Sequence, residues 1–284
     1  MRNATILIVC GRHGSDAELS VIVERARGLG AHLAFLVVGL APLYPLYAYG
    51  ATPYSPAVVS DEWQEMFQSE RAKLETRAQE IEDLLKRENV SGDVSTVCRE
   101  PALIPDAVAR RALLCDMAIV TGDLRGETEA FRQAVHAVLF EAPVGLLLNG
   151  DQATSLLQPD NVLVAWNTSR PAASAVHSCL PLLKKAHTVT IACFDPDMRE
   201  YTDGENPGSD VAKWLTHHGC AVTVQQYPSG GKEIGACIQE RARETGADLV
   251  VMGAYGHSRL REAVFGGTTQ TMFAQADCPV FMAH

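Results

Sequence analysis

The residues best suited to chemistry follow an apolar segment, 248–252, near the end of the chain. They are four glycines and two threonines: Gly253, Gly256, Gly266, Gly267, Thr268 and Thr269. Glycine allows tight turns and a close approach of the backbone to a ligand. Bare N–H groups at a helix start attract phosphate, and the helix dipole adds to that attraction. The spacing therefore predicts a loop that wraps phosphate groups, between a strand and a helix that starts near 267.

The segments around this loop alternate between apolar runs and amphipathic stretches. The apolar runs of the C-terminal half are 162–166, 188–194, 220–225, 248–252 and 279–283. The helical patterns between them cover 170–185, 208–218, 231–245 and 267–276. Strands that are apolar throughout indicate a parallel sheet covered on both faces. The loop then lies beyond the carboxyl end of a strand, where open α/β sheets bind ligands.

The N-terminal half repeats this pattern. Its apolar runs are 5–10, 32–38, 93–98, 116–121 and 143–149, and its helical patterns are 16–29, 61–89, 102–114 and 128–140. Both copies close on a Pro-Val pair, Pro143-Val144 and Pro279-Val280. We therefore predict an α/β fold of two tandem doubly wound domains, residues 1–150 and 156–284. Each domain is expected to be a five-stranded parallel sheet flanked by helices.

The first copy is about 20 residues longer than the second, and the extra residues fall in the insertion 39–60. This stretch is rich in proline and tyrosine. It is either a packed surface loop or a lid or interface patch, because exposed tyrosines favour contacts. In the helix predicted at 61–89, apolar residues recur at helical spacing: Trp63, Met66, Phe67, Leu74, Ile81, Leu84 and Leu85.

Composition excludes several classes of partner. The net charge is -10, and the basic residues are scattered, whereas nucleic-acid binding concentrates Lys and Arg. We therefore expect neither nucleic acid nor an acidic membrane as a partner, and no apolar run is long enough for a membrane span. The eight cysteines contain no C-x-x-C pair, and no signal peptide is recognised. The expected location is the cytoplasm.

The spacing G-x2-G-x9-G at 253–266, followed by small or hydroxyl residues, resembles the ATP-binding signature of the universal stress protein family. The segments 161–169 and 277–280 resemble that family's first and last strands. The resemblance implies a Rossmann-like fold of the adenine nucleotide alpha hydrolase type. It also implies that the last strands of two domains pair, here within one chain. A homodimer is left open, and the protein partner is unknown.

Carried over residue by residue, the resemblance implies a nucleotide site formed by Ala165, Trp166, Asn167, Met252, Gly253, Gly256, Gly266, Gly267, Thr268 and Thr269. His257 lies inside the nine-residue loop, where its side chain either meets the phosphates or faces solvent. Asn167 takes the position of an aspartate that usually meets the adenine end of the nucleotide. Gly267 stands where a serine or threonine often follows the last glycine. Trp166 is bulkier than the usual residue at its position.

The first copy lacks this loop. The stretch from Gly122 to Pro143 is shorter than the one from Gly253 to Pro279, and Asp123, Glu127 and Glu129 would repel a triphosphate. The N-terminal half is therefore interpreted as a structural or differently specific partner domain.

The leading hypothesis is a stress-response regulatory protein that binds ATP or another adenine nucleotide, with or without Mg²⁺, in its C-terminal domain. No general base, nucleophile or metal cluster stands out, so we do not expect an enzyme. Two alternatives stay open. One is a nucleotide-free scaffold for proteins or apolar ligands, and the other is a slow ATPase.

Overall fold

A computed structural model describes residues 3–43, 60–150, 157–199, 202–254, 267–275 and 277–284. Strands and helices alternate along both halves, which confirms the predicted α/β fold class. The strands of the N-terminal half are β1 (Thr5–Cys10), β2 (His32–Leu40), β3 (Gly92–Arg99), β4 (Met117–Val120) and β5 (Gly145–Leu148). Its helices are α1 (Asp16–Leu29), α2 (Asp61–Glu88), α3 (Ile104–Ala112) and α4 (Thr128–Phe140), and two short 3-10 helices cover Pro101–Leu103 and Gly122–Gly126.

The C-terminal half repeats this order. Its strands are β6 (Asn161–Ala165), β7 (Thr188–Phe194), β8 (Val222–Tyr227), β9 (Leu249–Gly253) and β10 (Val280–Ala283). Its helices are α5 (Arg170–Leu183), α6 (Ser209–His217), α7 (Ile234–Thr245) and α8 (Gly267–Ala274). Local signals set several helix ends. Ser15, Ser60 and Ser169 accept hydrogen bonds from the first turns of α1, α2 and α5. Gly30 and Gly246 end α1 and α7 in the left-handed conformation.

All the strands form one sheet in the order β3-β2-β1-β4-β5-β10-β9-β6-β7-β8. Within each half the neighbours are parallel, and the halves meet where β5 pairs antiparallel with β10. Phe281 of β10 faces Leu147 of β5 in the register. A Cβ atom at Gly145 would lie 2.1 Å from Cζ of Phe281. Glycine at this position therefore makes room for the ring that packs across the junction.

Each face of the sheet carries its own hydrophobic layer, and each layer spans both halves. One layer packs β-strand side chains against α1, α2, α5 and α6. The other packs the opposite side chains against α3, α4, α7 and α8. The strand runs are apolar throughout because both faces are covered.

The first turns of α2 depart from the predicted core. Leu74, Ile81, Leu84 and Leu85 are buried as expected, but Met66 is 46% exposed, and Trp63 and Phe67 stack on each other at 5.2 Å. The helix has 28 residues, about 42 Å at 1.5 Å per residue. That is longer than β2, whose nine residues span about 30 Å, so one end of the helix projects past the sheet.

Within the insertion 39–60, Gly39 and Leu40 are the last residues of β2. Residues 44–59, which hold the tyrosines of that stretch, lie outside the described residues. Across the described ranges, no helix is both long and apolar enough to cross a membrane.

Candidate functional site

The carboxyl ends of β6 and β9 form the crevice where a ligand is expected in the C-terminal half. The sheet order reverses between these neighbours, because connections from β6 and β9 lead to opposite sides. Ala165 of β6 pairs with Met252 of β9 in the register. The fold thus brings together two predicted site residues that are distant in the chain.

Gly253 ends β9 at this crevice and lies against the start of α5. A Cβ atom there would be 2.4 Å from the backbone N of Ala172 and 2.6 Å from the carbonyl carbon of Pro171. No side chain fits without moving the helix. The first glycine of the motif is therefore required by close packing of strand and helix, independently of any ligand.

The N-terminus of α8 has few close neighbours among the described residues. A Cβ atom at Gly267 would find Glu233 Oε1 at 3.9 Å as its closest neighbour. The N–H groups of a first helical turn lack partners within the helix, so this end can bind an anion. Gly256, His257 and Gly266 of the predicted loop lie outside the described residues.

Glu233 is a neighbour of the α8 start that the sequence did not suggest. Its carboxylate caps α7 by accepting the Ala236 N–H at 2.9 Å. Burial raises the pKa of Glu233, but hydrogen bonds from backbone N–H groups and from the hydroxyls of Thr268 and Thr271 outweigh it and hold the pKa below its usual value. The Thr268 hydroxyl, predicted to contact phosphate, is thus already engaged by a carboxylate.

Two other predicted residues turn their side chains into the core. Thr269 is 3% exposed and Met252 is 4% exposed. Met252 packs in the hydrophobic layer shared with α7 and α8. Only their backbone atoms can therefore line the crevice.

The loop after β6 is held by hydrogen bonds of its own. The backbone N–H of Trp166 donates to the Ala192 carbonyl at 2.9 Å. The Trp166 side chain packs against the hydrophobic layer of α5 and α6. Asn167 is exposed, and its side-chain oxygen accepts the Ser169 hydroxyl at 2.7 Å. The ring of Trp166 is thus tied to the core, and Asn167 is presented to solvent beside the crevice.

Carboxylates from the segment after β7 border this loop. Asp203 accepts the N–H groups of Thr168 and Asp197, both at 2.9 Å. Asp195 accepts the Ser229 N–H at 2.8 Å, and hydrogen bonds from Ser229 lower its pKa. Hydrogen bonds from Arg199 lower the pKa of Asp197 to about 2. Sequence reasoning missed these residues, although their position after a buried strand was a usable signal.

Of these carboxylates, Asp203 contacts the loop after β6 directly, and the group does not form a metal site. Among the described residues, no group of three or more His, Cys, Asp or Glu side chains could hold a metal ion. Each carboxylate instead accepts N–H groups of the loops, which fixes the loops beside one another.

The corresponding place in the N-terminal half is filled by Asp123. Its Oδ2 accepts the Gly11 N–H at 2.9 Å, and its Oδ1 accepts the Thr121 hydroxyl. A Cβ atom at either Gly11 or Gly14 would lie 3.0 Å from Asp123 Oδ2. The acidic residue that the sequence predicted to repel phosphate occupies the donors that a phosphate would need.

Comparison with known proteins agrees with this architecture. Residues 159–284 match the model of the universal stress protein family. A universal stress protein from Archaeoglobus fulgidus DSM 4304 superposes with a TM-score of 0.61 at 15% identity, over 98% of this chain and 97% of that chain. A functionally unknown protein from Pseudomonas aeruginosa PAO1 superposes with a TM-score of 0.50 at 15% identity, over 98% and 91%. A comparison with curated proteins found no match to this chain. At such identity the superpositions bear on the fold alone, whereas the family model matches the sequence of residues 159–284 itself, so the C-terminal half is similar to the universal stress protein family.

Proposed function

We propose that this protein is a cytoplasmic stress-response regulator that binds ATP or another adenine nucleotide in its C-terminal half. The observation that carries the proposal is the start of α8. Gly267 is the first residue of that helix, and among the described residues a Cβ atom there would have Glu233 Oε1 at 3.9 Å as its nearest neighbour. A helix start at the carboxyl edge of a parallel sheet attracts phosphate through its N–H groups and its dipole.

The proposed role is binding rather than turnover. The phosphate contacts would come from backbone N–H groups, which hold an anion without accepting a proton from the attacking water. A nucleotide would also meet the carboxylates of Asp195, Asp197 and Asp203 near the loop after β6. A Mg²⁺ ion carried by the nucleotide would offset part of that repulsion. All eight cysteines are free thiols, which fits a reducing compartment.

One observation favours the nucleotide-free alternative. Glu233 places a carboxylate at the first turn of α8 and engages the Thr268 hydroxyl. A carboxylate satisfies a helix start in much the same way as a phosphate does. On this alternative, the C-terminal half is a closed scaffold that acts through its surface.

The test changes the charge at the α8 start without disturbing the fold. Gly267→Asp places a carboxylate where the phosphate would lie, and Gly267→Asn places a group of the same shape without the charge. Among the described residues, the nearest neighbour of a Cβ atom at Gly267 is Glu233 Oε1 at 3.9 Å, and Asp and Asn are both favoured near a helix start. We expect Gly267→Asp to weaken ATP binding by at least about tenfold and Gly267→Asn to weaken it far less. Isothermal titration calorimetry with ATP, ADP and AMP measures the difference.

The outcomes separate the three functions. Equal affinities of the Asp and Asn variants would contradict phosphate binding at this helix. No saturable adenine-nucleotide binding by the unchanged chain would favour the nucleotide-free scaffold. Mg²⁺-dependent release of phosphate that Gly267→Asp abolishes would instead indicate a slow ATPase.

A further inference from the structure

The N-terminal half has a cavity at the carboxyl ends of its own strands. It has a volume of about 910 Å³ and lies between the ends of β1 and β2, the projecting end of α2 and the 3-10 helix Gly122–Gly126. Ligand pockets in proteins usually measure roughly 300–1,000 Å³. The cavity is therefore large enough for a small organic molecule, on the half that lacks the glycine loop.

Phosphate is a poor ligand for this cavity because Arg12 and Lys73, the cationic side chains of its described lining, are already paired with a carboxylate. Asp123 accepts the Gly11 N–H at 2.9 Å, which is the donor at the end of β1. Arg12 is paired with Glu70 and lies 3.8 Å from Glu127. Its Nε also donates to His13 at 2.8 Å. An incoming anion would have to displace these carboxylates from Arg12.

The charge of the lining favours a cation. Four carboxylates face the cavity, from Glu65, Glu70, Asp123 and Glu127, against the two cationic side chains Arg12 and Lys73. Lys73 is held by Glu70 at 2.6 Å. Four carboxylates against two cationic side chains leave an excess of negative charge at the cavity, shared by Glu65 and by Glu127, which lies 3.8 Å from Arg12.

The remaining wall is apolar. Leu40, Pro42 and Met66 line it, and Met66 leaves 46% of its surface exposed although it belongs to the apolar stripe of α2. The Trp63 indole N–H donates to the Pro42 carbonyl at 3.2 Å, which holds this wall to the helix. An apolar wall opposite carboxylates suits a ligand with one apolar end and one positive end.

We propose that the N-terminal half binds an organic cation with an apolar tail, such as a primary amine, with its charge near Glu65 and Glu127 and its tail on Leu40, Pro42 and Met66. This site lies in the opposite half from the proposed nucleotide site and does not depend on it. The two halves would then bind ligands of different chemistry within one chain.

The probe for this site is 4-phenylbutylamine, which is protonated at neutral pH. Its comparison compound is 4-phenylbutyrate, which has a similar shape and the opposite charge. Titration of the full chain is followed by the methyl resonance of Met66 in NMR spectra, assigned with Met66→Leu. We expect saturable binding of the amine at about 1 mM or tighter and no saturable shift with the carboxylate.

A charge-removing variant tests the carboxylates. Glu65→Gln/Glu127→Gln should weaken amine binding by at least about tenfold. The matched control, Glu62→Gln/Glu129→Gln, removes two charges from the same region at residues that do not line the cavity. It should bind the amine like the unchanged chain. ATP binding should be the same in both variants. The amine-binding comparison therefore remains conclusive even if the chain binds no nucleotide.

Three results would overturn the proposal. They are an unchanged Met66 resonance at saturating amine, equal binding of 4-phenylbutyrate, and equal loss of amine binding in the test and control variants. The last result would assign the effect to the overall negative charge of the chain instead of the cavity.

Discussion

Single residues in the motif have roles that the spacing alone does not separate. Gly253 and Gly267 belong to the same glycine pattern. A Cβ atom would meet backbone at 2.4 Å at the first, whereas its nearest described neighbour at the second is Glu233 Oε1 at 3.9 Å. Gly253 is therefore explained by packing on α5, and Gly267 is not explained by packing among the described residues.

A prediction at this scale concerns Glu233, whose carboxylate engages Thr268 beside the proposed phosphate position. Because the pKa of Glu233 lies below its usual value, the group is ionised at neutral pH and opposes a second anion. Glu233→Gln should therefore strengthen ATP binding by roughly threefold to tenfold, as expected for removing one screened charge. Calorimetric titration measures this change. Glu240→Gln on the same helix is the control, and tighter binding by both variants would contradict a local role.

The pH dependence of this effect has a definite sign. As the pH falls through the lowered pKa of Glu233, its carboxyl gains a proton, and its hydrogen bonds to the α8 start weaken. The stability that these bonds contribute is present above the unfolded-state pKa and is lost in acid. Glu233→Gln should show a smaller loss of stability on acidification than the unchanged chain.

At the scale of elements, the antiparallel pair β5–β10 joins the two halves. The pair is short, and its packing depends on Gly145, which lies beneath the buried ring of Phe281. The ring of Phe281 is 1% exposed and fills the space that a side chain at residue 145 would need. The junction is therefore specified by complementary sizes, in addition to the backbone hydrogen bonds.

Gly145→Ala should lower the free energy of unfolding by about 1–3 kcal/mol, because an added methyl group overfills this packed junction. Urea unfolding of the full chain measures this change in the free energy of unfolding. Phe281→Leu in the same chain should recover part of the loss, and a double-mutant cycle gives the coupling between the two positions. Gly28→Ala in α1, where a Cβ atom has nothing within 4 Å, is the control. Independent, additive effects of Gly145→Ala and Phe281→Leu would count against this explanation.

At the scale of the whole molecule, the shortened loop of the N-terminal half supports the last helix of the C-terminal half. Arg125 donates to the carbonyls of Phe273 and Gln275 and to Oδ1 of Asn149 at 2.8 Å. Asn149, which is buried, donates in turn to the carbonyls of Gln275 and Cys278. A guanidinium at the C-terminal end of a helix also interacts favourably with its dipole. Arg125 and Asn149 of the N-terminal half thus hold the C-terminal end of α8 in place.

Arg125→Ala should therefore lower the free energy of unfolding by about 2–4 kcal/mol, because it removes charged hydrogen bonds and leaves carbonyls without donors. Arg125→Lys should restore only part of the lost stability, since a lysine ammonium lacks the planar guanidinium that donates to several oxygens at once. Amide hydrogen exchange in α8 should become faster, although the change lies in the other half. Arg132→Ala removes an exposed arginine of the same half and should cost less than about 0.5 kcal/mol. An equal loss of unfolding free energy in Arg125→Ala and Arg132→Ala would contradict this stabilising role of Arg125.

The sequence alone determined the elements of this protein. The run at 188–194 coincides with β7 (Thr188–Phe194), and the pattern at 16–29 coincides with α1 (Asp16–Leu29). These assignments succeed because hydrophobic periodicity and helix caps are local properties that neighbouring residues in the chain decide. The internal repeat and the covered strands were sufficient for the doubly wound fold, since few topologies satisfy both.

Only the tertiary structure decided how the sites are filled. The contact of Glu233 with Thr268, the insertion of Asp123 against Gly11 and the reach of Arg125 to α8 all join segments that are far apart in the chain. The spacing of residues in the sequence does not reveal such long-range contacts, because they depend on how helices and loops pack around one shared sheet. The sequence therefore predicted a phosphate-binding backbone, and the packed fold determined which carboxylate lies beside it and left the N-terminal half with an acidic cavity.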